Sequence, residues 1–233
     1  MTQDARESSE ARDASSGKSS KAVDVIGSAA FHEDLLRLLA MRRDVRSFCT
    51  RPLPAGTVHR LIRSACLAPS VGYSQPWRFV TVRSASTRQA VGEEFAEQNR
   101  VASERYTGED AAEYTRLKLA GLSEAPEHLA VFCVSDPEAG RGLGRQTMPR
   151  SVEYSVVAAI QNLWLVARAE GIGVGWVSIL RPQAIADLLD IPTDWTLVAY
   201  LCLGYPRTNE RRPLLEQVGW QHRLDVDDQV LER

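Results

Sequence analysis

Arg42-Arg43-Asp44-Val45-Arg46 sets three guanidinium groups and one carboxylate into five residues. A guanidinium is planar, permanently charged and matched to a phosphate edge two hydrogen bonds at a time. If the stretch is helical, Arg42 and Arg46 are i,i+4 neighbours and Arg43 and Arg46 are i,i+3 neighbours, so all three converge on one anion. The alternative is a solvated helix end, where cations offset the negative pole of the helix dipole. Asp44 then only spaces the arginines as their counter-ion. Net charge is −2 over 233 residues, so the arginines are a local feature of a near-neutral chain. That balance gives no bulk attraction to nucleic acid or to an anionic membrane.

Two further stretches have the chemistry of a binding edge. Ala68-Pro69-Ser70-Val71-Gly72-Tyr73-Ser74-Gln75-Pro76-Trp77 is a polar loop fenced by prolines, read either as a rigid connector or as a ligand-binding edge. Gly173-Val174-Gly175-Trp176-Val177-Ser178-Ile179 reads as a strand whose glycines let a flat ligand or another backbone approach closely. A lone serine on such a strand, Ser178, is ordinarily a satisfied hydroxyl. Gly140, Gly142 and Gly144 lie in no G-x-G-x-x-G pattern and precede no P-loop lysine, so they predict a flexible loop. Cys49, Cys66, Cys133 and Cys202 have neither metal-ligand nor redox-pair spacing, sit in or beside apolar runs, and read as reduced core or near-core thiols of a cytosolic protein. The scattered histidines form no zinc or haem motif.

The elements that must position these residues follow from periodicity. Residues 1–28 are polar and charged with almost nothing to bury, which predicts a disordered tail. They lack the apolar core of a signal peptide, and no run is long enough to span a membrane, so a cytoplasmic protein is expected. Residues 29–233 then form one domain. Phe31, Leu35, Leu36, Leu38 and Leu39 mark a helical face, and a second helix is expected from Pro54 through Cys66. Strands are expected at Arg78–Arg83, His128–Val134 and Trp195–Gly204. The polar segment of about 93–120, with Gly108 dividing two helices, reads as a mobile lid. The helix from about Pro149 to Glu170 is apolar on nearly every face, so it is buried within one subunit or at a subunit interface. About 206–233 is a polar arm with Trp220 as its one large anchor. Helices and strands mix without a regular β-α-β repeat, which points to an α+β fold with the apolar helix against a sheet.

The arginine stretch, the proline-fenced loop, Gln161-Asn162-Leu163-Trp164-Leu165 and Gly171-Ile172-Gly173-Val174-Gly175-Trp176-Val177-Ser178-Ile179 together resemble the flavin-dependent nitroreductase superfamily. Asp44 and Gly-Trp-Val-Ser resemble its flavin-fragmenting branch, the one that makes 5,6-dimethylbenzimidazole, the lower ligand of cobalamin. The likeness runs from about Phe31 to Trp220. It implies a nitroreductase-like mixed, largely antiparallel sheet surrounded by helices, an intertwined homodimer, and FMN in a cleft between subunits. It also implies that Arg42, Arg43, Asp44, Val45 and Arg46 hold the FMN phosphate and ring edge, with Ser70, Gly175 and Trp176 lining the site. A basic residue near the C-terminus, Arg212 or Arg223, would join the phosphate grip. Asp44 would be an acid–base group kept ionised by its cationic neighbours, and Ser178 would position the flavin and assist proton removal. Reduced FMN would be the substrate, consumed with molecular oxygen to 5,6-dimethylbenzimidazole and erythrose 4-phosphate and supplied by a separate flavin reductase. The competing expectations are an NAD(P)H-dependent nitroreductase or flavin reductase that recycles FMN, and a non-catalytic FMN carrier.

Overall fold

A computed structural model describes residues 25–233. The tail expected over residues 1–28 lies outside the described residues as far as residue 24. The chain divides into two units at Met41/Arg42. In the first, α1 (Ala29–Met41) keeps Phe31, Leu35, Leu36 and Leu39 exposed, Leu36 at 52% and Phe31 at 43%. A helix whose apolar stripe is left uncovered has an unmet need for a partner surface.

The second unit is built on a sheet of strands β1 (Trp77–Thr81), β2 (Glu127–Val134), β3 (Gly173–Val177) and β4 (Trp195–Gly204) in the order β1-β2-β4-β3. Every ladder is antiparallel, and the one parallel pairing among the described residues is a single bridge from Asp44 to Val174 on the free edge of β3. The sheet is flanked by α2 (Thr57–Ala65) and α5 (Ser151–Ala169) on one face, and by α3 (Ala85–Ser103) and α6 (Pro182–Leu188) on the other. Alternate residues feed two cores, as strand geometry requires. Leu129, Val131, Leu201 and Val174 pack towards α5, whereas Ala130, Phe132, Tyr200 and Val177 pack on the opposite side. The architecture is α+β, as expected.

Some boundaries moved for identifiable reasons. Helix α2 starts at Thr57 rather than at Pro54, because Gly56 adopts φ 79° and the Thr57 amide donates back to the Pro54 carbonyl at 3.1 Å. Helix α5 is buried along one face only. Val156, Ile160 and Leu163 are fully enclosed, while Tyr154 and Val157 are 51% and 42% exposed. The lid region begins well anchored, for Val91 of α3 is fully buried and Arg181 makes a two-pronged pair with Glu94 at 2.8 and 2.9 Å. Beyond α3 comes α4 (Gly108–Arg116), so two helices form as expected, with Gly108 at φ +60° as the first residue of the second. The loop of Gly140, Gly142 and Gly144 is docked: a Cβ on Gly140 would lie 2.5 Å from the Gly72 carbonyl oxygen. Its glycines provide close approach to the proline-fenced loop.

His128 on β2 is fully buried, with Nδ1 3.0 Å from the Tyr200 hydroxyl. Burial, followed by the charge of Arg88, lowers its pKa to about 4. The unfolded chain therefore binds a proton near pH 6.5 that the folded chain refuses until about pH 4. Stability is full above this window and falls as pH drops through it. His128→Gln should flatten the acid limb by up to about 1.4 kcal/mol per pH unit, read from urea midpoints at pH 7, 6 and 5.

Candidate functional site

The arginine stretch is extended. Helix α1 stops at Met41, after which Asp44 and Val45 pair with the outer edge of β3 at Val174 and Phe48 bridges to Pro206 beyond β4. The expected i,i+4 convergence of the three guanidiniums is therefore overturned. An edge strand with free backbone groups captures the segment. The Val45 amide donates to the Val174 carbonyl at 2.9 Å, and the Trp176 amide donates to Asp44 Oδ1 at 2.9 Å. Asp44 thus lends its carboxylate where a neighbouring strand would supply a carbonyl.

Glycine is required on β3 because of this docking. A Cβ on Gly175 would sit 2.2 Å from the Val45 carbonyl oxygen, and one on Gly173 would sit 2.8 Å from Val45 Cγ2. The close approach allowed by Gly175 is made by backbone of its own chain. Phe48, fully buried, closes the segment by filling the space left by Gly121 and Gly204, and it bridges to Pro206.

An extended chain sends alternate side chains to opposite sides. Asp44 and Arg46 fall on one side and form an ion pair through Oδ2 and Nη2. Arg46 is only 18% exposed, and its Nη1 is buried with no hydrogen-bond partner among the described residues. A buried, unmatched guanidinium nitrogen is costly, and an anionic ligand would satisfy it.

Arg42 and Arg43 are organised by Trp164 of α5. The Arg42 guanidinium lies 4.9 Å from the Trp164 ring centroid, and the indole N–H donates to the Arg43 carbonyl at 3.1 Å. Sequence reasoning placed Trp164 in a family motif but gave it no site role, because its spacing matches the apolar stripe of the helix. A tryptophan whose N–H needs a partner was the available signal. Arg43 Nη2 donates to the Arg211 carbonyl and Nη1 to the Arg42 carbonyl at 2.6 Å. Burial, then the charges of Arg42, Arg168 and Arg223, lower the Arg43 pKa, with Glu216 opposing. Arginine stays charged in such surroundings, so the cluster is an excess of positive potential awaiting an anion. Of the two C-terminal candidates, Arg223 belongs to this field. Arg212 contributes a carbonyl to Gln217 at 2.8 Å.

Burial raises the Asp44 pKa, ahead of the opposing pulls of Arg46, the Trp176 amide and Arg42. The expectation that cationic neighbours dominate is reversed. The side chain is nonetheless 37% exposed, so water still reaches one side of the carboxyl. A carboxyl whose pKa is raised by burial and whose face is open to water is suited to exchanging protons.

Ser178 lies one residue beyond β3, exposed, with no partner for its hydroxyl among the described residues. It is two residues along from Trp176 and so on the same side of the chain. Ser70 makes its contacts within its own loop. Its Oγ accepts the Gln75 amide at 3.1 Å and its carbonyl accepts the Tyr73 amide at 2.9 Å, which stabilises a loop holding Tyr73 and Gln75 at positive φ. The structure therefore brings together Arg42, Arg43, Asp44, Val45, Arg46, Gly175 and Trp176, sets Ser178 beside them, and gives Ser70 a loop-bracing role. A separate cleft of about 630 Å³ between α3 and residues 120–125, lined by Arg88, Gln89, Glu93, Phe95 and Leu122, includes none of these residues.

The Nitroreductase family model matches residues 39–205, and the chain belongs to the nitroreductase family. It is 50% identical over 194 residues to a 5,6-dimethylbenzimidazole synthase of Rhodospirillum rubrum, covering 83% of this chain and 92% of that one. A protein of the same name from Rhodobacter capsulatus is 44% identical over 197 residues, covering 84% of this chain and 95% of the other. Among solved structures, oxidized iodotyrosine deiodinase bound to FMN and 3-iodo-L-tyrosine superposes with a TM-score of 0.64 at 24% identity, over 76% of this chain and 91% of that one. That last likeness speaks for the fold.

Proposed function

We propose that this chain is an oxidoreductase that fragments reduced FMN with molecular oxygen, releasing 5,6-dimethylbenzimidazole and erythrose 4-phosphate, with the pyrimidine part of the isoalloxazine leaving as a separate oxidised fragment. The observation that carries the reading is Asp44, fixed by the Trp176 amide inside a cluster of arginines, in a chain half identical to a 5,6-dimethylbenzimidazole synthase. The donor set fits a flavin mononucleotide. Arg42, Arg43 and Arg46, with Arg223 from the arm, offer charge-assisted donors to a phosphate dianion, and the unmatched Nη1 of Arg46 invites such an anion. Each such bond is worth about 1.5–3 kcal/mol.

Reduced flavin supplies the electrons with which oxygen reacts. The protein's own part is to grip the phosphate, exclude water and move protons. Asp44 accepts and returns protons beside the ribityl chain and ring, and Ser178, with its hydroxyl free to turn, orients the reacting chain. The backbone at Gly175 and Trp176 forms the wall beside them, and Ser70 keeps its own loop in shape.

A homodimer completes the site in this reading. It is supported by the open face of Asp44, by the exposed Tyr154 and Val157 on α5, and separately by the uncovered stripe of α1. A separate reductase supplies the reduced flavin. The four cysteines are free thiols, in keeping with a reducing cytoplasm, and no described helix is long and apolar enough to cross a membrane.

The phosphate grip is tested by Arg43→Lys, which keeps the charge and loses the fork. FMN affinity should fall about ten- to a hundredfold, the equivalent of one charge-assisted bond, while riboflavin affinity is unchanged. Titration by flavin fluorescence reads both. Equal losses for the two flavins would place the phosphate elsewhere. The reading as a whole is tested by giving the protein NADPH, FMN and a nitro compound. Sustained nitro reduction with FMN conserved would make it a nitroreductase.

A further inference from the structure

The C-terminal arm physically joins the arginine stretch to the lid. It leaves β4 beside that stretch: the Cys49 amide donates to the Tyr205 carbonyl at 2.8 Å, and the Arg207 amide to the Ser47 carbonyl at 3.0 Å. Arg168 Nη1 donates to Asn209 Oδ1 at 3.2 Å, and Arg43 holds the Arg211 carbonyl. Gln217 Nε2 then donates to the Arg212 carbonyl at 2.8 Å and to Glu210 Oε2 at 3.2 Å, tying the arm into a compact turn around α7 (Leu214–Gln217). The turn delivers Trp220, whose amide donates to the Leu215 carbonyl at 2.9 Å.

Trp220 reaches the lid. Its ring meets Tyr106 edge-on with centroids 5.4 Å apart and lies 6.3 Å from Tyr114. Tyr106 and Tyr114 stack at 4.7 Å, and the Tyr114 hydroxyl donates to Asn99 Oδ1 at 2.8 Å. Tyr114 is the buried residue of α4. The other apolar residues near the end of the arm are open to solvent, with Leu214 at 37%, Leu215 at 40% and Val218 at 50% exposure. Trp220 is thus the large side chain through which the arm holds α4. At the far end of the lid, Lys118 Nζ donates to Ser47 Oγ at 3.3 Å and pairs with Glu124 at 2.5 Å. The segment of about 104–120 is therefore tied to the arginine stretch by a polar link at Lys118 and by an aromatic clasp at Trp220.

We propose that Trp220 is a positioning residue for flavin fragmentation: it clasps the lid to the arm that Arg43 holds, and the closed lid decides whether reduced FMN is fragmented or merely reoxidised. This rests on the reading of reduced FMN as substrate. In an open site, reduced FMN and oxygen give FMN and hydrogen peroxide, two electrons and two protons passing from flavin to oxygen. Keeping the flavin from water and from early release is the ordinary work of a lid. A segment with few buried side chains depends on such a clasp.

The test uses the full chain with reduced FMN in air and measures 5,6-dimethylbenzimidazole and peroxide per flavin oxidised. Trp220→Ala should lower the fragmented fraction about tenfold, with peroxide rising to match and FMN affinity within about threefold of wild type. Trp220→Phe, which keeps an aromatic edge, should restore most of it. Hydrogen exchange of amides 104–116 should quicken in Trp220→Ala and return with phenylalanine, with little change in the sheet. If Trp220→Ala folds poorly, Tyr106→Ala removes the same edge contact from the lid side, with the same outcome expected. An unchanged partition alongside quickened lid exchange overturns the proposal. If wild type makes no benzimidazole, the substrate reading fails instead, and unchanged exchange in Trp220→Ala would separately dismiss the clasp.

Discussion

Asp44→Asn should leave FMN binding within about threefold of wild type and lower benzimidazole formation by 10²-fold or more, the usual scale for losing a general acid–base group. Asparagine keeps an oxygen for the Trp176 amide, so the pairing of the stretch with β3 survives. In the proposed reading the arginines of the phosphate grip remain, and the group assigned to proton transfer does not. Stability supplies a second readout. Because burial raises the Asp44 pKa, its negative charge works against folding at neutral pH, and its protonated form suits the folded state better at low pH. The variant should therefore not be markedly destabilised. A melting temperature within about 2–4 °C of wild type, on the order of 1 kcal/mol for a chain of this size, is expected once the lost contact to Arg46 is set against the removed charge. The acid limb of the wild-type pH–rate profile should lie above that of an ordinary carboxylate. Turnover by Asp44→Asn at the wild-type rate would reduce Asp44 to a counter-ion for Arg46.

Gly175→Ala is expected to damage structure and activity together. The new methyl carbon would stand 2.2 Å from the Val45 carbonyl oxygen and 3.4 Å from the Val45 carbonyl carbon, both backbone atoms that cannot swing aside. Relief requires the arginine stretch to lift from β3, which breaks the Val45–Val174 hydrogen bond and pulls Asp44 from the Trp176 amide. A loss of about 1–3 kcal/mol in urea unfolding, as for an overpacked core, should accompany a fall in both FMN affinity and fragmentation. Gly92→Ala is the matched control. Gly92 lies in helix α3 with nothing within 4 Å of a Cβ, so alanine there should be neutral or stabilising by up to about 1 kcal/mol. A Gly175→Ala protein as stable and as active as the control would mean that the stretch is not seated as described.

Periodic elements were legible in the sequence because their signals are local. Trp195–Gly204 was bounded to the residue, and β2 differs by one residue at its start, since short near-continuous apolar runs rich in strand formers and bounded by turn residues mark buried strands without tertiary information. The residues of the candidate site were nameable through residue type and family likeness. Their geometry was not. Whether Arg42–Arg46 is helical or extended depends on an unpaired strand edge 130 residues later in the chain, as the Asp44–Val174 bridge shows. The closeness allowed by Gly175 was foreseen, but its occupant, the Val45 carbonyl, was one of two possibilities the sequence could not separate. The direction of the Asp44 pKa turned on burial outweighing neighbouring cations, a balance that needs coordinates. Trp164 was hidden for a related reason, since it resembles ordinary packing until Arg42 and Arg43 are known as its partners, while Trp220 was legible as the anchor of the arm but not its partners Tyr106 and Tyr114.

The central claim is that reduced FMN is consumed rather than recycled. A single turnover with limiting reduced FMN, protein in excess, air and no added nicotinamide tests it most directly, by following flavin loss and benzimidazole together. The expected result is 5,6-dimethylbenzimidazole formed mole for mole with flavin permanently lost. Full recovery of the flavin as FMN, with hydrogen peroxide as the only new product, would contradict it.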